Sequence, residues 1–328
     1  MTPAAGDLWF LPLGGCGEIG MNLNVYGHDG RWLIVDCGVT FGRDGEPGPE
    51  IQMPDPAFIA ARRDDISAMI ITHAHEDHVG AVPYLWPRLG CPVYTTAFTA
   101  EILRRKLREH GLADRVPIHV VSRDDRLALD GFDVEWIGLT HSVPDANALL
   151  LRTPIGTVFH TADWKLDPAP VVGPGYDEGR YRALAAEGVD AMVCDSTNAT
   201  VEGHSRSEAD LYDGLRRCVA RADGRVFVTC FGSNIARLHT LARIAAATGR
   251  YLGLLGRSLH NMVSAARAAG IWDAACDIID PFDLGYLPGR EVLVATTGSQ
   301  GERFAALDRL ANDTHPQLSL DPGDTVVF

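Results

Sequence analysis

Two hydrophobic rhythms divide this chain. In the first, short apolar and β-branched runs are separated by turn residues, the pattern of strands. The first 45 residues read as strands and turns, with an apolar run at 8–13 and a hairpin of 22–26 and 31–35 around His28-Asp29-Gly30. Further strands are expected at 66–72, 92–95, 133–139, 149–153 and 157–160, the last two paired around Pro154-Ile155-Gly156. Helices are predicted at 79–89 and 99–110. From Ser205 the rhythm changes to alternating helix and strand. Helices at 208–221 (capped by Ser207), 235–248, 259–269 and 302–312 alternate with strands at 225–230, 251–255 and 292–296. Successive strand–loop–helix units predict a parallel α/β sheet. The chain stops in a strand-like run, 324–328, with no polar tail, which suggests a truncated sequence.

A length of 328 residues is compatible with two domains, and the change of rhythm divides them into 1–205 and 206–328. Hydrophobic content of 46% is that of a soluble globular protein. No apolar run reaches the roughly 18 residues of a membrane span, and the first residues lack the basic start and apolar core of a signal peptide. The seven cysteines include no C-x-x-C pair, so reduced, mostly buried thiols and a cytoplasmic location are expected. A net charge of −14 argues against a simple basic-patch nucleic-acid binder. Bound divalent cations would offset part of that charge locally. The Arg and Lys residues of the 99–110 helix are explained by a solvated face.

The segment Thr72-His73-Ala74-His75-Glu76-Asp77-His78-Val79-Gly80 changes the picture most. Four metal-binding side chains, His73, His75, Asp77 and His78, follow directly on an apolar strand. On an extended stretch alternate residues face one way, so His73 and His75 can meet one cation. Asp77 and His78, where the chain turns into a helix, can aim at a second. Imidazole and carboxylate donors suit zinc or manganese, and two metals a few ångströms apart suit hydrolysis at phosphate or carbonyl centres. The bland alternative, surface polar histidines, fits a lone His better than this cluster. The H-E-x-x-H motif fails on spacing, since it needs two histidines four apart on one helix. His141 and Asp163 both lie just past predicted strand ends, where loops deliver ligands to a site built on a sheet. Asp36, at the end of its strand, is a candidate for bracing the metal loop, or an ordinary turn residue. Gly15-Cys16-Gly17-Glu18-Ile19-Gly20 matches G-x-G-x-x-G, but β-patterned sequence follows it, so a glycine turn is the better reading than a dinucleotide site.

The ordered set His73, His75, Asp77, His78, His141 and Asp163 resembles the metallo-β-lactamase superfamily of binuclear hydrolases. The resemblance implies an αββα sandwich. In it His73, His75 and His141 hold a first metal, Asp77 and His78 a second, and Asp163 bridges both. Leu13-Gly14-Gly15-Cys16-Gly17-Glu18-Ile19-Gly20-Met21-Asn22 looks like the opening of the ribonuclease J family. The His loop running on to Gly80-Ala81-Val82-Pro83-Tyr84-Leu85, His141-Ser142-Val143-Pro144-Asp145, Asp195-Ser196-Thr197-Asn198-Ala199, Ser233-Asn234-Ile235-Ala236-Arg237, Gly256-Arg257-Ser258 and Thr296-Thr297-Gly298-Ser299-Gln300-Gly301-Glu302 continue the match in order. The second unit is thereby identified as a parallel α/β β-CASP domain, the module that adapts this hydrolase fold to nucleic acid. Asp195 resembles the family's acidic motif and joins Asp77 and Asp163 as a catalytic candidate; the simpler role is a strand-end cap.

A phosphate ligand also follows from physical chemistry. Gly232-Ser233-Asn234 and Gly298-Ser299-Gln300-Gly301 each join a strand end to a predicted helix start. Exposed N–H groups and the helix dipole favour an anion there. Ser233, Asn234, Ser299 and Gln300 are therefore the candidate phosphate-binding residues, against the plainer reading of turns and caps.

The resemblance implies a ribonuclease J-like, metal-dependent enzyme that hydrolyses single-stranded RNA. It would act as a 5′-to-3′ exonuclease and endonuclease in RNA processing and decay, prefer a 5′-monophosphate, and use two divalent ions, Zn2+ first, with Mn2+ or Mg2+ as alternatives. It implies a cytoplasmic homo-oligomer with no membrane partner. The family continues past Phe328 with a His-x-Ser-x-His type segment, a further His for the second metal and the closing strands of the first domain. Both domains are thus expected to be incomplete, the second metal weakly held, and nuclease activity of the chain as it stands low. Two alternatives remain at this point: a small-molecule metallohydrolase such as a thioesterase or lactonase, and a catalytically inactive RNA-binding fragment.

Overall fold

The computed structural model describes residues 1–42, 48–273 and 276–328. The last positions of the opening strand-and-turn stretch, 43–45, lie outside them. The chain forms two compact units. The first comprises Met1–His141, Asp145–Leu166 and Gly175–Gly203; the second comprises Ser142–Pro144, Asp167–Pro174 and His204–Phe328.

The first unit carries a six-stranded sheet in the order Leu8–Gly14, Leu23–His28, Arg31–Val35, Ile66–Ile70, Val93–Thr96, Ile118–Val121. A five-stranded sheet runs Ala191–Val193, Gly156–His160, Asn147–Thr153, Phe132–Gly138, Arg126–Leu129. Strand period explains the layering. Along Arg31–Val35, Leu33 and Val35 pack towards Trp136, Leu149 and Leu151 of the other sheet, while Trp32 and Ile34 pack with Leu85, Leu89 and Leu103 of the helices. Both faces are buried, which is why these strands read as nearly continuous apolar runs. On the outer face of the second sheet, Leu150 and Phe159 pack with Leu184 of the helix Glu178–Glu187. The layers are helix, sheet, sheet, helix, as the sequence predicted.

The expected hairpin forms, with Arg31–Val35 antiparallel to Leu23–His28. Asp29 and Gly30 at its bend have φ of 46° and 77°, the left-handed pair that a tight hairpin turn requires. The predicted helix 79–89 is instead two helices, Glu76–Val79 and Val82–Leu89. Pro83 lies in the first turn of the second and has no N–H to continue the first. The helix expected at 208–221 starts as a 3-10 turn, Glu208–Leu211, whose cap is Ser207, before Tyr212–Arg221.

The second unit has a parallel sheet ordered Ile278–Ile279, Tyr251–Leu255, Val292–Thr296, Val226–Thr229, Thr325–Val327. Helices Ile235–Thr248 and Arg257–Ala268 follow two of its strands. The predicted 302–312 helix is shorter, Ala306–Ala311. Phe304 takes a φ of 62°, its N–H donates to Asp308 Oδ2 at 2.8 Å, and local side-chain bonds replace the first helical turn.

A buried guanidinium ties this unit together. Arg250 donates from Nη1 to the carbonyls of Gly224 and Val292, both at 2.9 Å, and from Nη2 to those of Val219 at 3.1 Å and Ala222 at 2.5 Å. Its replacement would strip several buried carbonyls of their donor at once. Arg250→Met is expected to lower stability by more than about 3 kcal/mol, because hydrogen bonds to a charged group contribute about 1.5–3 kcal/mol each. Denaturant unfolding of the variant measures this; a loss under about 1 kcal/mol would show that the carbonyls find other partners.

Candidate metal centre

The strand Ile66–Ile70 delivers the His loop to the end of the first sheet. His73-Ala74-His75 is a bend beyond that strand rather than an extended run, and the two imidazoles nevertheless converge, His73 Nε2 lying 3.1 Å from His75 Nδ1. Backbone lacing fixes the rest of the loop. Cys37 N–H donates to His78 O, Val39 N–H to Glu76 O, and Asn22 N–H to Asp77 O. Gly38 sits so close that a Cβ there would lie 1.7 Å from Asp77 O, which reserves the position for glycine.

Two donor groups result. Nitrogens of His73, His75 and His141 and a carboxylate oxygen of Asp163 form one; Asp77, His78 and Asp163 form the other. Within each, the donor atoms lie within 4.8 Å of one another. His141 Nε2 is 3.1 Å from His75 Nδ1 and 3.7 Å from Asp163 Oδ2. Asp163 turns its other oxygen, Oδ1, to His78 Nε2 at 3.3 Å, and Asp77 Oδ2 is 3.5 Å from the same nitrogen. A tetrahedral shell with bonds of about 2.0–2.1 Å spaces its donors roughly 3.3 Å apart, so the observed separations fit a divalent ion in each group.

Asp36 stands behind both groups. It is fully buried and accepts from His78 Nδ1 at 2.8 Å, from Thr72 N–H at 2.8 Å, and from the Thr72 hydroxyl at 3.0 Å. With its own proton committed to Asp36, Thr72 Oγ1 accepts from His73 Nδ1 at 3.0 Å. This chain fixes both tautomers and leaves Nε2 of His73 and of His78 facing the cluster. Carboxylate support of this kind orients ligating histidines and makes them better donors. Asp36 has a φ of 65° and Ala162, beside Asp163, a φ of 50°. Such left-handed backbone at non-glycine residues concentrates at functional sites.

The electrostatics suit metal capture. Burial, reinforced by His141, takes His75 down to about 3. Burial takes His141 to about 4 against the pull of Asp163. Burial and the neighbouring histidines hold His73 well below its usual range. All three imidazoles are therefore neutral, with a lone pair to give. Burial opposes charge on Asp163, yet the His78 hydrogen bond and the surrounding imidazoles outweigh it and lower the carboxyl to about 2. Burial likewise opposes a proton on His78, but Asp36 and Asp163 overcome it, and its pKa lies well above the ordinary value. Burial, with help from Asp163, raises Asp77.

A cavity of about 370 Å³ opens beside the second group and is lined by Asp77, His78, Asp163 and Asp195. The glycine loop Gly15–Gly20 also lines it, so the G-x-G-x-x-G match is a wall of this cavity followed by a strand. Asp195 Oδ1 accepts from Thr197 N–H at 2.9 Å, a turn-forming bond. Asn22 supports the His loop with its side chain: its Nδ2 donates to Asp77 O at 3.0 Å and lies 3.2 Å from His78 Nε2. Thr72 and His160, the latter buried against Tyr26 OH at 2.9 Å, had no signal of their own in the sequence.

In the second unit the strand-end loops approach closely. A Cβ on Gly232 would lie 2.5 Å from Ser258 Oγ, and one on Gly256 2.8 Å from Thr297 Cγ2. Asn234 caps the helix Ile235–Thr248 through Oδ1, which accepts from Arg237 N–H at 2.9 Å. Because the last helix starts only at Ala306, the dipole argument does not extend to Ser299 and Gln300. Gln300 N–H donates to Glu302 Oε2 at 2.8 Å, and Ser299 Oγ is buried without a hydrogen-bond partner among the described residues.

Comparison with known proteins agrees with this geometry. Residues 21–186 match the metallo-beta-lactamase superfamily, and residues 223–328 match the ribonuclease J beta-CASP domain. Ribonuclease J of Sinorhizobium meliloti is 46% identical over 327 residues, covering 98% of this chain and 58% of that protein. Ribonuclease J of Mycobacterium tuberculosis is 39% identical over 327 residues, covering 99% of this chain and 58% of that protein. The chain thus spans somewhat over half the length of these relatives. A solved structure of a protein of unknown function from Enterococcus faecalis V583 shares the fold, with a TM-score of 0.63 at 18% identity, covering 98% of this chain and 87% of that one. This chain belongs to the metallo-β-lactamase superfamily, and along nearly its whole length it is similar to ribonuclease J.

Proposed function

We propose that this chain is the hydrolytic part of a metal-dependent ribonuclease that cuts single-stranded RNA, as a 5′-to-3′ exonuclease and an endonuclease. Residues 1–205 would form the hydrolase domain and 206–328 the nucleic-acid module. The observation that carries the reading is Asp163, which faces one donor group with each carboxylate oxygen. The name of the relatives supports RNA as the substrate. The same kinship is the ground for a cytoplasmic location, homo-oligomeric assembly and preference for a 5′-monophosphate.

His73, His75, His141 and Asp163 would hold one divalent ion, and Asp77, His78 and Asp163 a second. Nitrogen-rich donors favour zinc at the first; the two carboxylates of the second also suit manganese or magnesium. Bound ions supply Lewis acidity, making water acidic enough to attack near neutral pH and offsetting charge on the phosphate. The chain's own part is orientation. Asp36 and Thr72 lock the imidazoles, Asn22 fixes the Asp77 backbone, and Asp195 borders the cavity that would receive the scissile phosphate.

Ser233, Asn234, Ser299 and Gln300 would hold substrate phosphate at the strand-end loops. The partnerless Ser299 hydroxyl supports this for one of them. Ser299→Ala or Ser233→Ala is expected to cut the preference for a 5′-monophosphate over a 5′-hydroxyl end by roughly tenfold, the worth of one hydrogen bond to a charged group. Competition between the two RNA ends measures it; unchanged preference in both variants would reduce the loops to turns. For the function as a whole, a 5′-phosphorylated RNA and a thioester are offered side by side. Metal-dependent RNA cleavage is expected, and turnover of the thioester alone would refute the reading.

A further inference from the structure

The seven cysteines are unequally placed. Cys37, Cys91 and Cys230 are buried, Cys218 and Cys276 are partly covered, and Cys16 and Cys194 are exposed. Both exposed thiols line the cavity that also exposes Asp77, His78 and Asp163. Eighteen residues line that cavity, and they include neither of the partly covered cysteines. The two thiols reach it from different sheets. Cys16 lies in the glycine loop after strand Leu8–Gly14, between Gly15 and Gly17, both left-handed, with φ of 87° and 77°. Cys194 directly follows strand Ala191–Val193. Neither thiol is in a disulfide: Cys16 Sγ makes a long contact, 3.7 Å, to Asn24 Oδ1, and Cys194 Sγ meets the Asp195 carbonyl at 3.1 Å and the Thr161 side chain.

We propose that Cys16 and Cys194 form a covalent modification site in the metal cavity, taken by low-molecular-weight disulfides, and that an adduct on either closes the route to the donor groups. The consequence for catalysis rests on the proposed function; the site itself does not. In the reaction the cysteine loses its proton to solvent and its sulfur attacks one sulfur of the disulfide. The S–S bond breaks, and the other sulfur leaves and takes a proton. The cysteine is oxidised to a mixed disulfide, one half of the reagent is reduced to a thiol, and no further oxidant is needed. Partial burial, with Glu18 beside Cys16 and Asp195 beside Cys194, raises both thiols above their ordinary value, so the reaction gains from mildly alkaline conditions. Gly17 leaves room for an adduct on one side of Cys16, since nothing stands within 4 Å of a Cβ built there; on the other side Gly15 is packed against Asn22.

The test treats the zinc-loaded protein with glutathione disulfide and maps adducts by peptide mass. Two functions are followed: the rate at which a chelating dye withdraws zinc, and cleavage of 5′-phosphorylated RNA. Cys16 and Cys194 should react before Cys218 and Cys276. Modification should slow zinc withdrawal and abolish cleavage, and a reductant should restore both in the same sample. A Cys16→Ser, Cys194→Ser double variant should keep both functions and lose the sensitivity. Adducts on Cys16 and Cys194 that leave zinc withdrawal unchanged would overturn the proposal, as would prior reaction of Cys218 or Cys276. Slowed withdrawal in a protein that never cleaves RNA would uphold the site and refute cleavage by the 328-residue chain instead.

Discussion

Replacing Asp163 with alanine is expected to lower RNA cleavage by roughly four powers of ten, as several kcal/mol of metal-derived stabilisation is lost at about 1.4 kcal/mol per decade. Asp163 is the only described residue common to both donor groups, so its removal damages two sites at once. Its side chain is about a third exposed, and the fold should survive. His75→Ala removes a donor from the first group alone and should be nearly as severe, because the groups act as a unit. The double variant should then be little worse than either single one, the non-additivity expected of a shared centre. Near-normal cleavage by a purified, folded Asp163→Ala protein would sink the mechanism.

Asp36→Ala is expected to have the second largest effect, although Asp36 touches no metal donor atom. It would leave His78 Nδ1–H, the Thr72 N–H and the Thr72 hydroxyl without their buried acceptor. Loss of such supporting carboxylates costs about 10–100-fold in metal affinity or activity. Breaking a buried charged pair by deleting one partner costs about 3–5 kcal/mol of stability. Both should appear together, metal affinity by calorimetry and stability by denaturant. Asp36→Asn keeps the volume and one acceptor, and it should recover part of the stability but less of the affinity. A protein that loses stability without losing metal affinity would assign Asp36 to the fold alone.

What the sequence disclosed depended on how local the cause was. The donors were legible because His73, His75, Asp77 and His78 crowd into six positions and because His141 and Asp163 each follow a strand. The support of Asp36 could be stated only as one of two options, since its partners are 36 and 42 residues away. Asn22 and Thr72 were invisible as individuals: each acts through a tertiary contact that no spacing encodes. The alternating apolar runs gave most strands of both sheets, but not Ile118–Val121, Arg126–Leu129 or Ala191–Val193, which are short and largely exposed; Arg126, for example, pairs with Asp133 on an exposed face. Residues 302–305 carry helix-compatible side chains and still stay out of the helix, because Glu302 and Asp308 bond to nearby backbone N–H groups. That local competition removed half of the dipole argument for phosphate binding.

Two unequal donor groups meet at Asp163. The first offers four donors, three of them neutral imidazoles; among the described residues the second offers three. Isothermal titration of the metal-free 328-residue chain with zinc, repeated on Asp163→Ala, tests this directly. Two binding steps are expected in the parent, one tight and one weak, with a marked loss of affinity in both steps for the variant. A single step, two equal steps, or two steps unchanged by the substitution would contradict it.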